Sequence, residues 1–269
     1  MKKVLFIAVL LLSGVILAQD FQGIATYKSH RKLDDFKVDG DGPQNDALQK
    51  QIEEQLKKQF QREYTLKFTK EASMYQQVEK LSAPQPQTSG INITIDESSN
   101  LLFKNIKEKR YSNQTDIMGK QFLIKDELQP RDWVLGKEKK FIGEYECYKA
   151  TYEDEYTMQT VNDGEITEVK KKRLVTAWYT PQIPISNGPA EYEGLPGLIL
   201  EINDGQLTLI CSKIVINPKE AIDLKEPTKG KVVTEEKFSE IMEKKNKEMM
   251  ERMRGRNRDG EQRVMIIGN

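Results

Sequence analysis

Apolar and polar residues alternate in short runs along the first half of the chain, and this pattern predicts β-strands. In Tyr64–Phe68, every second residue is large and apolar, as in a strand with one buried face. Loop-forming residues separate these runs, which favours an antiparallel meander. The predicted strands are Phe21–Lys28, Tyr64–Phe68, Met74–Val78, Ile91–Ile95, Leu101–Ile106 and Gln121–Ile124.

A longer hairpin is predicted around the turn Asn162–Glu165. The Asp-Gly pair at its centre suits a two-residue type I′ turn, because both residues tolerate positive φ angles. Counting back from this turn aligns apolar residues on one face of both strands, which supports the register. The predicted pairs are Val161 with Ile166, Tyr152 with Val175, Ala150 with Ala177, and Tyr148 with Tyr179.

A second hairpin is predicted around the turn Asn203–Gln206, which also has Asp-Gly at its centre. The register of a two-residue turn again produces one wholly apolar face, and it points Cys211 into a core. The predicted pairs are Ile202 with Leu207, Leu200 with Leu209, and Leu198 with Cys211.

Two segments have the spacing of amphipathic helices. The first, Asp46–Phe60, has apolar residues at every fourth position, and Asp46 with Gln49 resembles a capping box. The second follows the capping residue Thr234, runs to about Arg254, and is ended by Gly255. The apolar stripes are Leu48, Ile52, Leu56 and Phe60 in the first helix, and Phe238, Ile241, Met242, Met249 and Met253 in the second.

These elements predict an α+β fold that is mainly β. We expect a single curved antiparallel sheet, half-barrel-like, with one covering helix on its apolar face and a C-terminal helix. The first helix is too narrow to cover that face, so the C-terminal helix, a loop or a ligand has to fill the remainder. The chain then divides into a signal peptide (1–18), a β-rich domain (19–233) and a C-terminal helix with its tail (234–269).

The first residues have the features of a cleavable secretory signal peptide. Lys2 and Lys3 form a basic start, Val4–Leu12 is apolar, and Ala18 is the small residue expected before a cleavage site. The apolar run is shorter than the roughly 20 residues that a membrane-spanning helix needs. We therefore expect a periplasmic or secreted chain that begins at Gln19 and has no stable membrane insertion. No cysteine follows the cleavage region, so a lipoprotein is not expected.

The amino-acid composition and the net charge bear on which binding partners the chain could have. Hydrophobic residues make up 37% and charged residues 31% of the chain, which is polar but sufficient for a folded core. Basic and acidic residues number 42 each, so loss of the two N-terminal lysines leaves 40 against 42, a net charge of −2. This balance argues against nucleic acid as a partner and against general attraction to anionic lipid.

Few residues offer catalytic chemistry. Cys147 and Cys211 could form a disulfide in an oxidising compartment or stay as buried free thiols, and strand parity turns Cys147 away from the face of Tyr148. His30 is the single histidine, and we interpret it as a solvent-facing strand residue rather than part of a catalytic site. No carboxylate pair or phosphate-binding loop has a diagnostic spacing, so no enzyme activity and no cofactor are expected.

The C-terminal helix offers one alternative, a soft-metal site. Its methionines carry thioethers, which are ligands that Cu(I) prefers. Methionine is also a good helix former and core filler, and we expect that role here, so no metal ligands are assigned. The methionines concerned are Met242, Met249, Met250 and Met253.

A distinctive stretch lies between Ala177 and Ile202. It contains, in order, Gly194, Leu195, Pro196, Gly197, Leu198 and Ile199. These six residues spell GLPGLI, and the chain resembles the GLPGLI family of exported bacterial proteins. Trp133 and the run Ile142–Thr151 also resemble that family, so the likeness extends from about Trp133 to Ile202. The resemblance implies export in a bacterium with an outer membrane, and it supplies neither a known function nor catalytic residues. The layout is also similar, in architecture alone, to the periplasmic lipoprotein-carrier fold.

The same stretch is rich in proline and glycine, which predicts an extended, stiff connection into the second hairpin. We interpret it as a crossover loop that closes the sheet. A recognition loop or the rim of a pocket is the alternative.

The sequence favours a non-enzymatic binding or accessory protein of the cell envelope that holds an apolar ligand in a cavity of the sheet. The alternatives are a structural partner of an envelope protein assembly and, less favoured, a copper binder. An exposed apolar concavity would support the first hypothesis. A fully packed sheet with an exposed edge would support the second.

Overall fold

A computed structural model describes the protein over residues 21–32, 50, 54, 56–57, 60–79, 100–117, 119–162 and 165–256. Within them lie twelve strands of one sheet and one long helix. The bounds are β1 Gln22–Arg31, β2 Glu63–Thr69, β3 Ala72–Gln77, β4 Leu101–Asn105, β5 Arg110–Ile117, β6 Lys120–Glu127, β7 Val134–Ile142, β8 Tyr145–Asn162, β9 Glu165–Thr180, β10 Leu198–Asn203, β11 Leu207–Ile216, β12 Lys231–Val233 and α1 Glu235–Arg256.

The sheet is open, and its strand order is β12-β6-β5-β4-β3-β2-β1-β11-β10-β9-β8-β7. This confirms the mainly β fold class, with strands β5, β7 and β12 added to those predicted. The sheet is not wholly antiparallel, because β12 pairs with β6 in the parallel direction. The N-terminal strand β1 lies in the middle of the sheet, between β2 and β11.

The β8–β9 hairpin has the predicted register. All four predicted pairs are present, from Val161 opposite Ile166 to Tyr148 opposite Tyr179. The two central turn residues, at positions 163 and 164, lie outside the described residues.

The predicted register of the β10–β11 hairpin is wrong by two residues. Ile202 lies opposite Leu209, and Asn203 lies opposite Thr208. The connection is longer than expected because Asp204 Oδ1 accepts hydrogen bonds from the backbone N–H groups of Gln206 (3.0 Å) and Leu207 (2.6 Å). A shift of two residues leaves side chains on their predicted faces. Cys211 is therefore still buried, as predicted.

A bulge in β10 separates residues that were predicted to share one apolar face. The pairing of β10 with β9 shifts between Ile199 and Glu201, and Leu200 is the extra residue. Leu198 and Leu200 pack in one core cluster, whereas Ile202 packs in another.

Two clusters form the main core. The larger joins β1, β2 and β3 with residues from the other half of the sheet and contains Ala25, Tyr27, Leu66, Phe68, Tyr75, Cys147, Ile183, Ile185, Leu198, Leu200 and Cys211. The second lies on the β8–β11 half and contains Ala150, Val175, Ala177, Tyr179, Tyr192, Leu195, Ile199, Ile202 and Leu209.

The C-terminal helix α1 begins as predicted. Thr234 Oγ1 accepts a hydrogen bond from the backbone N–H of Lys237 (3.3 Å), which confirms the cap. Phe238 packs edge-on against Phe122 of β6, with ring centroids 5.7 Å apart. The helix ends at Arg256, one residue beyond the predicted stop.

Part of the predicted first helix is described. Positions 50, 54, 56, 57 and 60 are helical, and Leu56 is fully buried. Phe60 lies beside β1, because its carbonyl accepts a hydrogen bond from Ser29 Oγ (2.7 Å).

The signal peptide and the predicted strand Ile91–Ile95 lie outside the described residues. No helix in the described part of the chain has the length and hydropathy needed to cross a membrane.

Candidate functional site

The segment that joins β9 to β10, residues 181–197, is the most distinctive part of the structure, and we call it the motif loop. It carries four fully or almost fully buried apolar side chains: Ile183, Ile185, Tyr192 and Leu195. The first two pack into the larger core cluster, and the last two pack into the second cluster. The motif loop therefore covers part of the apolar face of the sheet. A ligand in that position was one of the predicted alternatives.

The predicted family-motif residues have distinct structural roles. Leu195, Leu198 and Ile199 are buried in the core, whereas Gly194 and Pro196 are exposed. Gly197 lies so close to the end of β9 that a Cβ atom there would be 2.2 Å from the carbonyl oxygen of Thr180. Only glycine fits this approach without a shift of the backbone.

Backbone hydrogen bonds fold the motif loop back onto the start of β10. The N–H of Leu198 donates to Ile183 O (3.0 Å), and the N–H of Ile199 donates to Asn187 O (2.9 Å). From the central strand β1, Tyr27 Oη donates to Ile199 O (2.7 Å). These bonds position the loop from both of its ends.

Two side chains from the segment before β7 donate hydrogen bonds to backbone carbonyls in the second half of the motif loop. Trp133 Nε1 donates to Glu193 O (2.9 Å), and Arg131 Nη1 donates to Glu191 O (2.9 Å). The Arg131 guanidinium also lies over the rings of Tyr152 (5.9 Å to the centroid) and Tyr192 (5.2 Å), a cation–π arrangement.

Lys104 of β4 makes the most unusual contact with the motif loop. Its side chain is fully buried. Nζ donates hydrogen bonds to three backbone carbonyls of the loop, those of Gly188 (3.0 Å), Ala190 (2.8 Å) and Tyr192 (3.1 Å). Burial lowers the pKa of Lys104 to about 7, while Glu191 and Glu193 act in the opposite direction. Burial also raises the pKa of Glu193, although Lys104 and Arg131 lower it.

Both cysteines are buried in the larger cluster, and they are free thiols in this structure. Cys147 lies in a different cluster from Ala150, as strand parity predicted. Burial raises the pKa of Cys147 and of Cys211 to about 11, so both are protonated at neutral pH. A disulfide between them stays a prediction.

The other predicted chemical groups are spread apart. His30 is exposed on β1, as predicted. No cluster of three or more acidic, histidine or cysteine residues suited to a metal ion occurs among the described residues. Met242 is half-buried on α1, whereas the side chains of Met249, Met250 and Met253 lie outside the described part, so the copper alternative stays a prediction.

Strand β7 is an edge of the sheet, because it pairs with β8 alone. It exposes three large apolar side chains: Val134 (67% exposed), Leu135 (57%) and Phe141 (72%). The pairing with β8 is interrupted between Leu135 and Lys139 and is regular from Lys139 to Ile142. An open edge with exposed apolar side chains is a ready surface for another strand.

Sequence reasoning missed Lys104 and Arg131. A weak signal for Lys104 is present, since strand alternation places it on the same face as the apolar Leu102. Arg131 lies in an irregular segment, and nothing in the local pattern marks its stacking on Tyr152 and Tyr192.

The motif loop lies within the part of the chain that one family model matches. A family model described as a protein of unknown function (Porph_ging) matches residues 133–201. The match covers most of the stretch on which the GLPGLI resemblance rests, and the GLPGLI name itself stays a prediction. None of the curated proteins matches the chain.

Among solved structures, the chain is similar to two of PNGF-II. The structure in a C2 space group has a TM-score of 0.48 and 13% identity, over 82% of this chain and 32% of that chain. The structure in a P21 space group has a TM-score of 0.44 and 14% identity, over 76% and 29%. The chain thus spans about a third of the length of these structures.

Proposed function

We propose that this chain is an exported, non-enzymatic accessory protein of the bacterial cell envelope that binds another protein through strand β7. The observation that carries this proposal is the open edge of β7, with Phe141 72% exposed beside a regular stretch of pairing. Export is supported by the N-terminal sequence and by the resemblance to exported proteins.

The packing of the motif loop against the sheet favours a protein partner over an apolar ligand. The motif loop buries Ile183, Ile185, Tyr192 and Leu195 against the strands. A ligand carrier needs an apolar cavity, and side chains of the chain itself occupy this position. The protein-partner hypothesis therefore replaces the ligand carrier as the leading one.

The two edges of the sheet differ in a way that supports binding at β7. At the other edge, β12 has three residues and lies next to β6, on which α1 packs. Short strands and adjacent helices limit pairing with other chains. Strand β7 has nine residues, and its outer backbone N–H and C=O groups face no strand of the described sheet.

The proposed docking segment is Lys139–Ile142, because β7 pairs regularly with β8 only there and its outer backbone groups are in regular strand geometry. A partner strand would pair with the backbone there, and its apolar side chains would cover Phe141. Lys139 and Lys140 are already paired with Glu146 and Glu201 of this chain. We therefore expect an extended partner segment with apolar side chains rather than a strongly acidic one.

The environment of the two cysteines and of His30 supports a non-enzymatic role. Both thiols are protonated at neutral pH because burial raises their pKa. The single histidine is exposed on β1, and both cysteines are buried, so no histidine–thiol pair assembles among them.

Phe141→Lys tests the proposal. We expect the tagged wild-type protein, cross-linked in its own host and purified from the envelope, to show a complex larger than the monomer by native mass spectrometry. Phe141→Lys should reduce the yield of that complex at least about tenfold, since a charge replaces the apolar contact. Val232→Lys is the matched control, because Val232 is also exposed (62%) but lies on β12.

The same spectra distinguish the alternatives. A complex that persists in Phe141→Lys and disappears in Val232→Lys would contradict binding at β7. A wild-type monomer that carries lipid would restore the carrier hypothesis, and one that carries copper would restore the metal hypothesis. Unchanged melting temperatures of both variants would show that they are folded.

A further inference from the structure

The β8–β9 hairpin extends beyond the rest of the sheet. Strand β7 pairs with β8 only as far as Thr151, and β10 pairs with β9 only as far as Thr176. Beyond these points, β8 and β9 pair only with each other in the described sheet. We call this extension, Glu153–Asn162 with Glu165–Leu174, the arm.

The arm has open edges. Along each of its strands, one row of backbone N–H and C=O groups faces no strand of the described sheet. Strand β9 also exposes two apolar side chains there, Val169 (42% exposed) and Leu174 (58%). A ribbon of two strands is only marginally stable in water, and a further strand stabilises it. The arm is therefore suited to accept a strand from another chain.

The order of charges along β9 selects the partner strand. On the arm, the acidic residues of β9 precede Val169 and the basic residues follow it. A second copy of β9 that runs antiparallel reverses this order, so the acidic end of each strand meets the basic end of the other. The residues concerned are Glu165 and Glu168 on one side, and Lys170, Lys171, Lys172 and Arg173 on the other.

The β8 strand of the arm lacks this property. Its charged residues are Glu153, Asp154 and Glu155, and no basic residue lies in Glu153–Asn162. Two β8 strands side by side could therefore form no pair of opposite charges.

We propose that two copies of this chain associate through their arms, which pair antiparallel along β9 about a two-fold axis at Val169. Lys170 then lies opposite Glu168 of the second copy, and Arg173 lies opposite Glu165 of the second copy. The axis repeats both pairs, and no like charges lie opposite each other. This self-association goes beyond the proposed binding at β7 and does not depend on it.

The charges fix the register, and the shared backbone hydrogen bonds join the strands. A shift of one residue in either direction leaves only one of the two kinds of opposite-charge pair. Lysines on an open edge also oppose pairing with uncharged strands, which favours a partner with acidic residues at the matching positions. Arg173 already pairs with Asp154 and Asp204 of its own chain, so the test uses Lys170 and Glu168.

The geometry leaves room for both copies. The paired segment Glu165–Arg173 spans about 26 Å at the usual rise of a strand. Antiparallel pairing places the body of each copy beside the arm tip of the other. The two sheets therefore lie at opposite ends of the joined ribbon.

Sedimentation velocity of the purified protein over a range of concentrations tests the proposal. We expect a wild-type dimer. Lys170→Glu and Glu168→Lys should each weaken it at least about tenfold, because the axis repeats each new pair of like charges. An equimolar mixture of the two variants should form a heterodimer about as stable as the wild-type dimer, because each introduced charge then faces an opposite one. Restoration in the mixture would also show that both variants are folded.

Two controls locate the contact. Lys171→Glu should keep the dimer, since this position lies opposite the uncharged Thr167 of the second copy. Phe141→Lys should also keep it, because β7 is a separate edge, and a homodimer differs in mass from a complex with another protein. A wild-type protein that stays monomeric would overturn the proposal. So would a dimer that persists in both charge variants, a mixture that does not associate, or a dimer that only Phe141→Lys disrupts.

Discussion

At the scale of single residues, Glu226 shows how one carboxylate can hold a connecting segment against the sheet. It lies between β11 and β12 and accepts hydrogen bonds from Ser112 Oγ (2.6 Å), Arg110 Nη1 (2.9 Å) and Lys125 Nζ (3.1 Å). Burial alone would raise its pKa, but these three donors lower the pKa of Glu226 to about 2. The ionised form is therefore favoured by folding.

Glu226→Gln should make the protein less stable at pH 7 by about 1 kcal/mol, because Gln cannot accept the charge-assisted hydrogen bonds equally well. Since the folded pKa is depressed from 4.5 to about 2, this contribution is complete above pH 4.5 and is lost as the pH falls towards 2. Urea denaturation between pH 7 and pH 3 measures it. The difference between wild type and variant should shrink steadily below pH 4.5.

Glu108→Gln is the control for this series. Glu108 also pairs with Arg110, but its side chain is 55% exposed, so little change is expected. A stability difference for Glu226→Gln that stays constant down to pH 3 would show that its ionisation is not coupled to folding.

At the scale of elements, the β10–β11 hairpin shows why its turn residues matter. Gly205 has a φ of +96°, in the region that side chains with Cβ atoms rarely adopt. Its N–H donates to Asn203 Oδ1 (2.8 Å), and the Asp204 side chain closes the rest of the connection. The hairpin belongs to the core, since Ile202 and Leu209 are buried.

Gly205→Val should destabilise the fold by more than about 1 kcal/mol, because a β-branched residue resists a positive φ. Gly205→Asn should cost less, since asparagine tolerates such angles better and the Cβ position is open. Thermal or urea unfolding of the pair provides the measurement. Equal stability of Gly205→Val and wild type would contradict the strained conformation at this residue.

At the scale of the whole molecule, the prediction concerns export. We expect the mature chain recovered from the envelope or the medium to begin at Gln19, since the N-terminal residues match a cleavable signal peptide. N-terminal sequencing or intact mass measures this directly. Recovery of a chain that still starts at Met1 in the membrane would contradict it, and a variant with Ala18→Leu should be processed poorly.

The sequence by itself determined the features that depend on neighbouring residues. The register of β8 and β9 follows from a turn and an alternation of apolar side chains, and every predicted pair is present. The cap of α1 at Thr234 and the exposure of His30 were predicted for similar reasons. Turn chemistry, capping and alternation act over a few residues, so they can be identified without knowledge of distant contacts.

Only the tertiary structure decided the long-range pairings and the role of the motif loop. The pairing of β1 with β11 and the parallel pairing of β12 with β6 join strands far apart in the chain. The bulge at Leu200 and the longer β10–β11 connection changed a register that turn chemistry alone had placed differently. Lys104 became a buried charge because the motif loop folded over it, and burial depends on the packing of the whole sheet rather than on local sequence.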